Sequence, residues 1–181
     1  MTTAGRIAGG MGGGDTRGVT SGTSGGSGAG GASGFNQSRP AASGDGGAGI
    51  IGAGLTVINS GSIAGGNGFS GQANAITFTG GSNVLELQAG YSFTGNVVGT
   101  GSDTFRLGGA TNESLDVSGI GAAAQYRGFN AFEKNGASTW TLTGTTTAVT
   151  PWTWKQGTLS ISSDANLGAA SGGLTFDGGA L

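Results

Sequence analysis

Apolar residues in this chain come in pairs one position apart, and most pairs stand next to a glycine or Asn-Gly turn. Leu85-x-Leu87, Phe105-x-Leu107, Leu115-x-Val117, Trp140-x-Leu142, Trp152-x-Trp154 and Leu159-x-Ile161 all follow this rule. Alternation with a period of two puts both members of a pair on one face of a strand. Each strand therefore offers only two large side chains to a core. Such strands recur about every 8–12 residues, which fits an all-β sandwich, a barrel or a solenoid.

The tryptophan-bearing stretch Gly128–Asp164 carries the pattern most clearly. It reads as three strands, around Trp140 and Leu142, around Trp152 and Trp154, and around Leu159 and Ile161, with turns at Asn135-Gly136 and Gln156-Gly157. All 3 tryptophans lie in it, so the best-filled part of a core is expected there. Trp152 and Trp154 share a face and are both expected inside. Upstream, strands are expected at Leu55–Ile58, Ala75–Phe78, Asn83–Leu87, Asp103–Leu107 and Ser114–Val117, with Asn96–Val98 a separate short piece and Gly65–Gly71 a loop. Gly121–Tyr126 is the one helix-permissive piece and is too short to stand alone.

Three features favour the solenoid: very short strands, a weakly repeated unit of apolar-x-apolar followed by glycine, and no helical pattern of useful length. The expected fold is a right-handed parallel β-helix over Ile50–Leu181. At about 20–25 residues per coil it has about five or six coils, and at about 4.8 Å per coil it is about 25–30 Å long.

Residues 1–49 are different. They hold 18 of the 44 glycines and only Met1, Ile7, Met11, Val19 and Phe35 as large apolar residues. That is too little to offset the entropy of ordering the backbone. Met1–Gly34 is expected to be mostly flexible, with order beginning near Ile50. Gly9–Gly14 lacks the Gly-Lys-Ser/Thr ending of a phosphate loop.

Composition excludes several functions. The chain has no cysteine and no histidine, so disulfides, Cys/His metal sites and Ser-His-Asp or Cys-His nucleophile systems are ruled out. A net charge of −2 without basic clusters gives no footprint for nucleic acid or an anionic membrane. No apolar run of about 18 residues marks a membrane helix. MTTAGRIAGGMGGG lacks the apolar core of a signal peptide, and GGLTFDGGAL closes the chain within a strand-like pattern, so a piece of a longer product is expected.

Possible chemistry is sparse. Val98–Phe105 approaches the calcium nonapeptide G-G-x-G-x-D-x-U-x, with Val98 in place of the first glycine. Stacked copies share each ion, and only one copy is present, so Asp103 is read as part of a turn rather than as a ligand. Glu113 and Asp116, with Glu86 or Asp103 joining across coils, are the best carboxylates for a pair placed across a sugar. Tyr126, Phe129, Phe132 and the tryptophans could form a stacking platform, but core filling is the expected role for those on the inward face. No catalytic, cofactor-binding or metal residue is expected.

Several runs together resemble a family. Asn83–Gly90, Phe93–Val97, Asp103–Gly109, Tyr126–Gly136 and Thr139–Gly144 look like the passenger domain of bacterial autotransporters, the type V secretion proteins. Trp154–Ile161, through Asn166–Gly168 to Gly173–Leu181, resembles the passenger-associated repeat, and Gly54–Ile63 is similar to rungs common in such passengers. The resemblance covers about Ala48–Leu181. It implies a parallel β-helix carried across the outer membrane of a Gram-negative bacterium by a C-terminal β-barrel. It also implies a place at the cell surface, no enzyme activity, and a stalk or adhesive role toward ligands on host or neighbouring cells. The alternatives are a catalytic β-helix acting on polysaccharide and a structural β-solenoid of phage or filament type.

Overall fold

The computed structural model describes residues 2–3, 5–10 and 44–178. In chain order the strands are β1 (Thr2–Thr3), β2 (Arg6–Ala8), β3 (Ile50–Ala53), β4 (Thr56–Asn59), β5 (Ser62–Ala64), β6 (Asn67–Gly68), β7 (Gly71–Gln72), β8 (Ile76–Gly80) and β9 (Val84–Leu87). They continue with β10 (Ser92–Thr94), β11 (Val97–Leu107), β12 (Glu113–Asp116), β13 (Tyr126–Lys134), β14 (Thr139–Thr143), β15 (Trp152–Trp154), β16 (Thr158–Ser160) and β17 (Leu174–Phe176). Two 3-10 turns, Val117–Gly119 and Asp164–Leu167, are the only helical elements among the described residues.

The fold is all-β and almost wholly parallel. The largest sheet runs β1-β4-β9-β11-β13-β15-β17, and β3 and β8 join it beside the first residues of β11. A second sheet runs β2-β5-β10 and a third runs β12-β14-β16. Among the described residues, only β6 and β7 pair antiparallel. Parallel neighbours need a long crossover. Here the return is made by other short strands, so Val57 pairs with Leu85, Leu85 with Phe105, Phe105 with Phe132, Phe132 with Trp152, and Trp152 with Leu174.

That register builds the core. Val57, Leu85, Phe105, Phe132 and Trp152 are all buried in one ladder, and the rings of Phe105, Phe132 and Trp152 touch in sequence. Two residues on, Asn59, Leu87, Leu107 and Lys134 form a parallel buried ladder. The residues between point the other way, where Glu86, Arg106 and Glu133 are neighbours. Arg106 bonds Glu133 at 2.8 Å and Glu86 at 3.5 Å, and Lys155 reaches Glu133 at 2.8 Å. The buried ladders lose cover at β17, where Leu174 is 40% and Phe176 49% exposed.

Four expectations need correction. Order does not begin near Ile50, because β1 pairs with β4 and β2 with β5. Ile7 sits over buried Ile63, and the Gly9 amide donates to the Ala64 carbonyl at 2.7 Å. A ready-made strand edge supplies the backbone partners that five scattered apolar residues could not. Close approach does the rest: a Cβ on Gly66 would collide with the Gly10 carbonyl. The remainder of the expected flexible segment, residues 11–43, lies outside the described residues.

The expected loop Gly65–Gly71 contains β6 and the first residue of β7, which pair as a hairpin. Asn96–Val98 and Asp103–Leu107 belong to one strand, β11, which pairs first with β8 and then with β9. Gly101, at φ 91°, makes the bend between these halves. Gly121–Tyr126, expected to be too short for a helix of its own, holds none, and Tyr126 opens β13. Finally, Trp154 is only half-buried while Trp152 is inside, and exposed Ile161 falls beyond the end of β16.

Candidate functional site

The sequence-flagged carboxylates do not converge. Asp103 is fully buried and saturated: Oδ1 accepts from the Asn83 amide and Nδ2, and Oδ2 accepts from the Thr100 amide and hydroxyl. It ties the bend in β11 to the neighbouring strand. No group of three or more acidic residues is placed to hold a metal among the described residues. Glu86 lies in the Arg106 ion pair. Glu113 and Asp116 are three residues apart on β12, so strand alternation turns them to opposite faces. Glu113 accepts from the Gly90 amide at 3.0 Å, and Asp116 caps the 3-10 turn by accepting from the Ser118 amide at 2.9 Å. The Ser118 side chain and amide hold the Asp116 carboxyl below its usual range.

The aromatic residues divide. Trp140 is buried and donates from Nε1 to the Gly108 carbonyl at 2.9 Å. Trp152 is buried, and its Nε1 has no hydrogen-bond partner among the described residues. Trp154 packs on Phe176 and donates to the Gly157 carbonyl. Trp140 and Trp152 fill the interior and Trp154 packs beside it, rather than forming a platform.

Lys134 is a polar residue that sequence reading passed over. It is 0% exposed on the inner side of β13. Its Nζ donates to the carbonyls of Asn135, Gly136 and Gln156 at 2.9, 2.8 and 3.1 Å. Burial pushes its ammonium down to about 8. All three protons are used, so Lys134 is a clamp between two turns, not a free amine.

One concavity opens where a sheet is interrupted. β10 ends the second sheet and β12 begins the third, with no ladder between them. The chain spends Val117–Gln125 on a 3-10 turn and a bend there before β13 starts. The resulting cleft has a volume of about 350 Å³ and is lined by Tyr91, Phe93, Leu115, Asp116, Gln125 and Tyr126, among others. Side chains bridge the gap in place of backbone bonds. The Tyr91 hydroxyl donates to the Ser114 carbonyl at 3.1 Å, and Gln125 Nε2 reaches the Phe93 and Gly95 carbonyls, both at 3.3 Å. Tyr91 is packed against Trp140, and Tyr126 stands edge-on to Phe93 and Phe105. Burial first, then the charges of Glu113 and Asp116, push the Tyr91 hydroxyl up to about 12. Burial, with a contribution from Tyr91, raises Tyr126 as well. Sequence reading named Tyr126 as aromatic and Asp116 as acidic but did not bring them together.

No family model, no curated protein and no solved structure matches the chain.

Proposed function

We propose that the chain is part of an autotransporter passenger: a right-handed parallel β-helix displayed at the surface of a Gram-negative bacterium, where it acts as a stalk or an adhesive surface. The observation that carries the reading is the buried parallel ladder from Val57 through Leu85, Phe105 and Phe132 to Trp152. Stacked short strands of this kind support an elongated scaffold built by repetition, each repeat burying its apolar side chains against its neighbours. The arrangement of the acids favours structure over catalysis, since Asp103, Glu86 and Glu113 are each engaged by backbone or cationic partners.

Antibodies raised against residues 50–178 test the reading on the organism that carries the gene. Labelling of intact cells, removed by protease added outside, is the expected result. Labelling only after lysis would overturn it. The reading also expects the gene to encode a C-terminal translocator barrel of alternating membrane strands.

A further inference from the structure

We infer that the cleft between β10 and β12 binds a neutral saccharide unit. This gives the adhesive part of the proposed function a ligand class and rests on that reading only for its setting at the cell surface.

The walls and the acceptors carry the inference. Tyr91 and Phe93 are partly exposed in the lining with buried Tyr126 behind them, and aromatic faces, negative at the π cloud, attract the weakly positive C–H groups of a sugar ring. A volume of about 350 Å³ lies within the range of small-ligand sites. Among the described residues, two polar side chains in the lining keep spare acceptor capacity. Gln125 spends Nε2 on the Phe93 and Gly95 carbonyls, which leaves Oε1. Asp116 is held by the Ser118 amide on Oδ1 and by the Ser118 side chain, and an ionised carboxylate with about four lone-pair sites keeps capacity for a further donor. Carboxylate and amide oxygens are the acceptors that hydroxyl donors need. The cleft is also held open in advance, because Tyr91 is fixed by Trp140 and by its bond to Ser114. A preformed site loses little entropy on binding.

Charge narrows the class. The Asp116 carboxylate lines the cleft, and the Glu113 carboxylate is held beside Tyr91 by the Gly90 amide, so the cleft repels negative charge. Uronic acids, sialic acids and phosphates would meet the same repulsion, whereas a neutral ring would not. The blocked edges argue against a peptide strand. A chain adding to the sheet needs free backbone acceptors, and here the Phe93 and Ser114 carbonyls already accept from Gln125 and Tyr91.

The test is ligand-observed NMR and titration calorimetry on the purified chain. The probes are methyl α-mannoside, methyl β-galactoside, N-acetylglucosamine and galacturonic acid, each at up to about 10 mM, a range suited to weak single-ring binding. At least one neutral probe should bind, and galacturonic acid should bind more weakly. Asp116→Ala and Gln125→Ala, both checked by thermal melting for an intact fold, should each weaken the neutral probe about fivefold, the loss expected for one hydrogen bond. Asp116→Asn should narrow the preference for neutral over acidic sugar. The inference is overturned if no neutral probe binds, if galacturonic acid binds best, or if folded Asp116→Ala and Gln125→Ala bind as well as the parent. Because the readout uses purified protein, these outcomes are separate from failure of surface labelling on cells.

Discussion

Asn83 donates twice to one oxygen of Asp103, from its backbone amide at 2.8 Å and from Nδ2 at 2.7 Å. Asn83 directly precedes β9 and Asp103 lies within β11, and both are buried. With Thr100 on the other oxygen, the carboxylate has no capacity left for a cation. Millimolar calcium should therefore leave the melting temperature unchanged. Asp103→Ala should lower stability by about 2–4 kcal/mol through the orphaned amides of Asn83 and Thr100. A calcium-dependent rise that Asp103→Ala removes would contradict this assignment.

Trp140 and Trp152 differ in one atom's fate, and the difference is measurable. Either residue changed to Ala should cost about 3–5 kcal/mol, as expected for a large buried ring. Changed to Phe, they should separate. Trp140→Phe removes one of two donors to the Gly108 carbonyl, the Ser138 hydroxyl remaining at 3.1 Å, and should cost about 0.5–1.5 kcal/mol more than Trp152→Phe, whose Nε1 has no partner among the described residues to lose. Equal costs in urea denaturation would show that the indole hydrogen bond contributes nothing.

Lys134 gives the molecule a pH signature. Its folded ammonium lies near 8, below the value of about 10.4 for an unperturbed lysine. Between these values the unfolded chain holds a proton that the folded chain has released, so stability should rise with pH across that window. Tyr91 acts in the opposite direction above pH ~10, where the unfolded phenol ionises and the folded one, raised to about 12, does not. A melting temperature that climbs from pH 8, peaks near pH ~10 and then falls is the expected profile. Lys134→Met should remove the climb and, by leaving three carbonyls without their donor, lower stability at pH 7.

The glycine packing predicts a contrast between positions. Gly66→Ala should dislodge Gly9 and Gly10 from the structure, because the new methyl would meet the Gly10 carbonyl. Gly173→Ala has open space around its Cβ and should be close to neutral. Limited proteolysis should then cut Gly66→Ala, but not Gly173→Ala, faster than the parent near Arg6.

The strands and the buried tryptophans were legible because period-two alternation is a local signal: Trp140 and Leu142 announce their face without help from the rest of the chain. Lys134 was not. A lysine before Asn-Gly reads as a solvated turn residue, and only its place two residues after inward Phe132 puts it inside. β1 and β2 were missed because Thr-Thr and Arg-Ile-Ala carry a single large apolar residue, and what orders them is pairing with β4 and β5, more than fifty residues away. The cleft was equally invisible. It exists because β10 and β12 do not pair, and a missing ladder leaves no mark on either strand's own residues.

Parallel stacking at long sequence separation is the claim on which the rest depends, and contacts between methyl groups test it most directly. In a methyl-labelled sample, nuclear Overhauser contacts should link Val57 to Leu85, Leu87 to Leu107, and Leu115 to Leu142, the partners set by the parallel registers. Observation of all three supports the account. Their absence, together with strong Hα–Hα contacts between the consecutive strands β8 and β9, would mean an antiparallel meander, and would contradict both the fold and the function proposed from it.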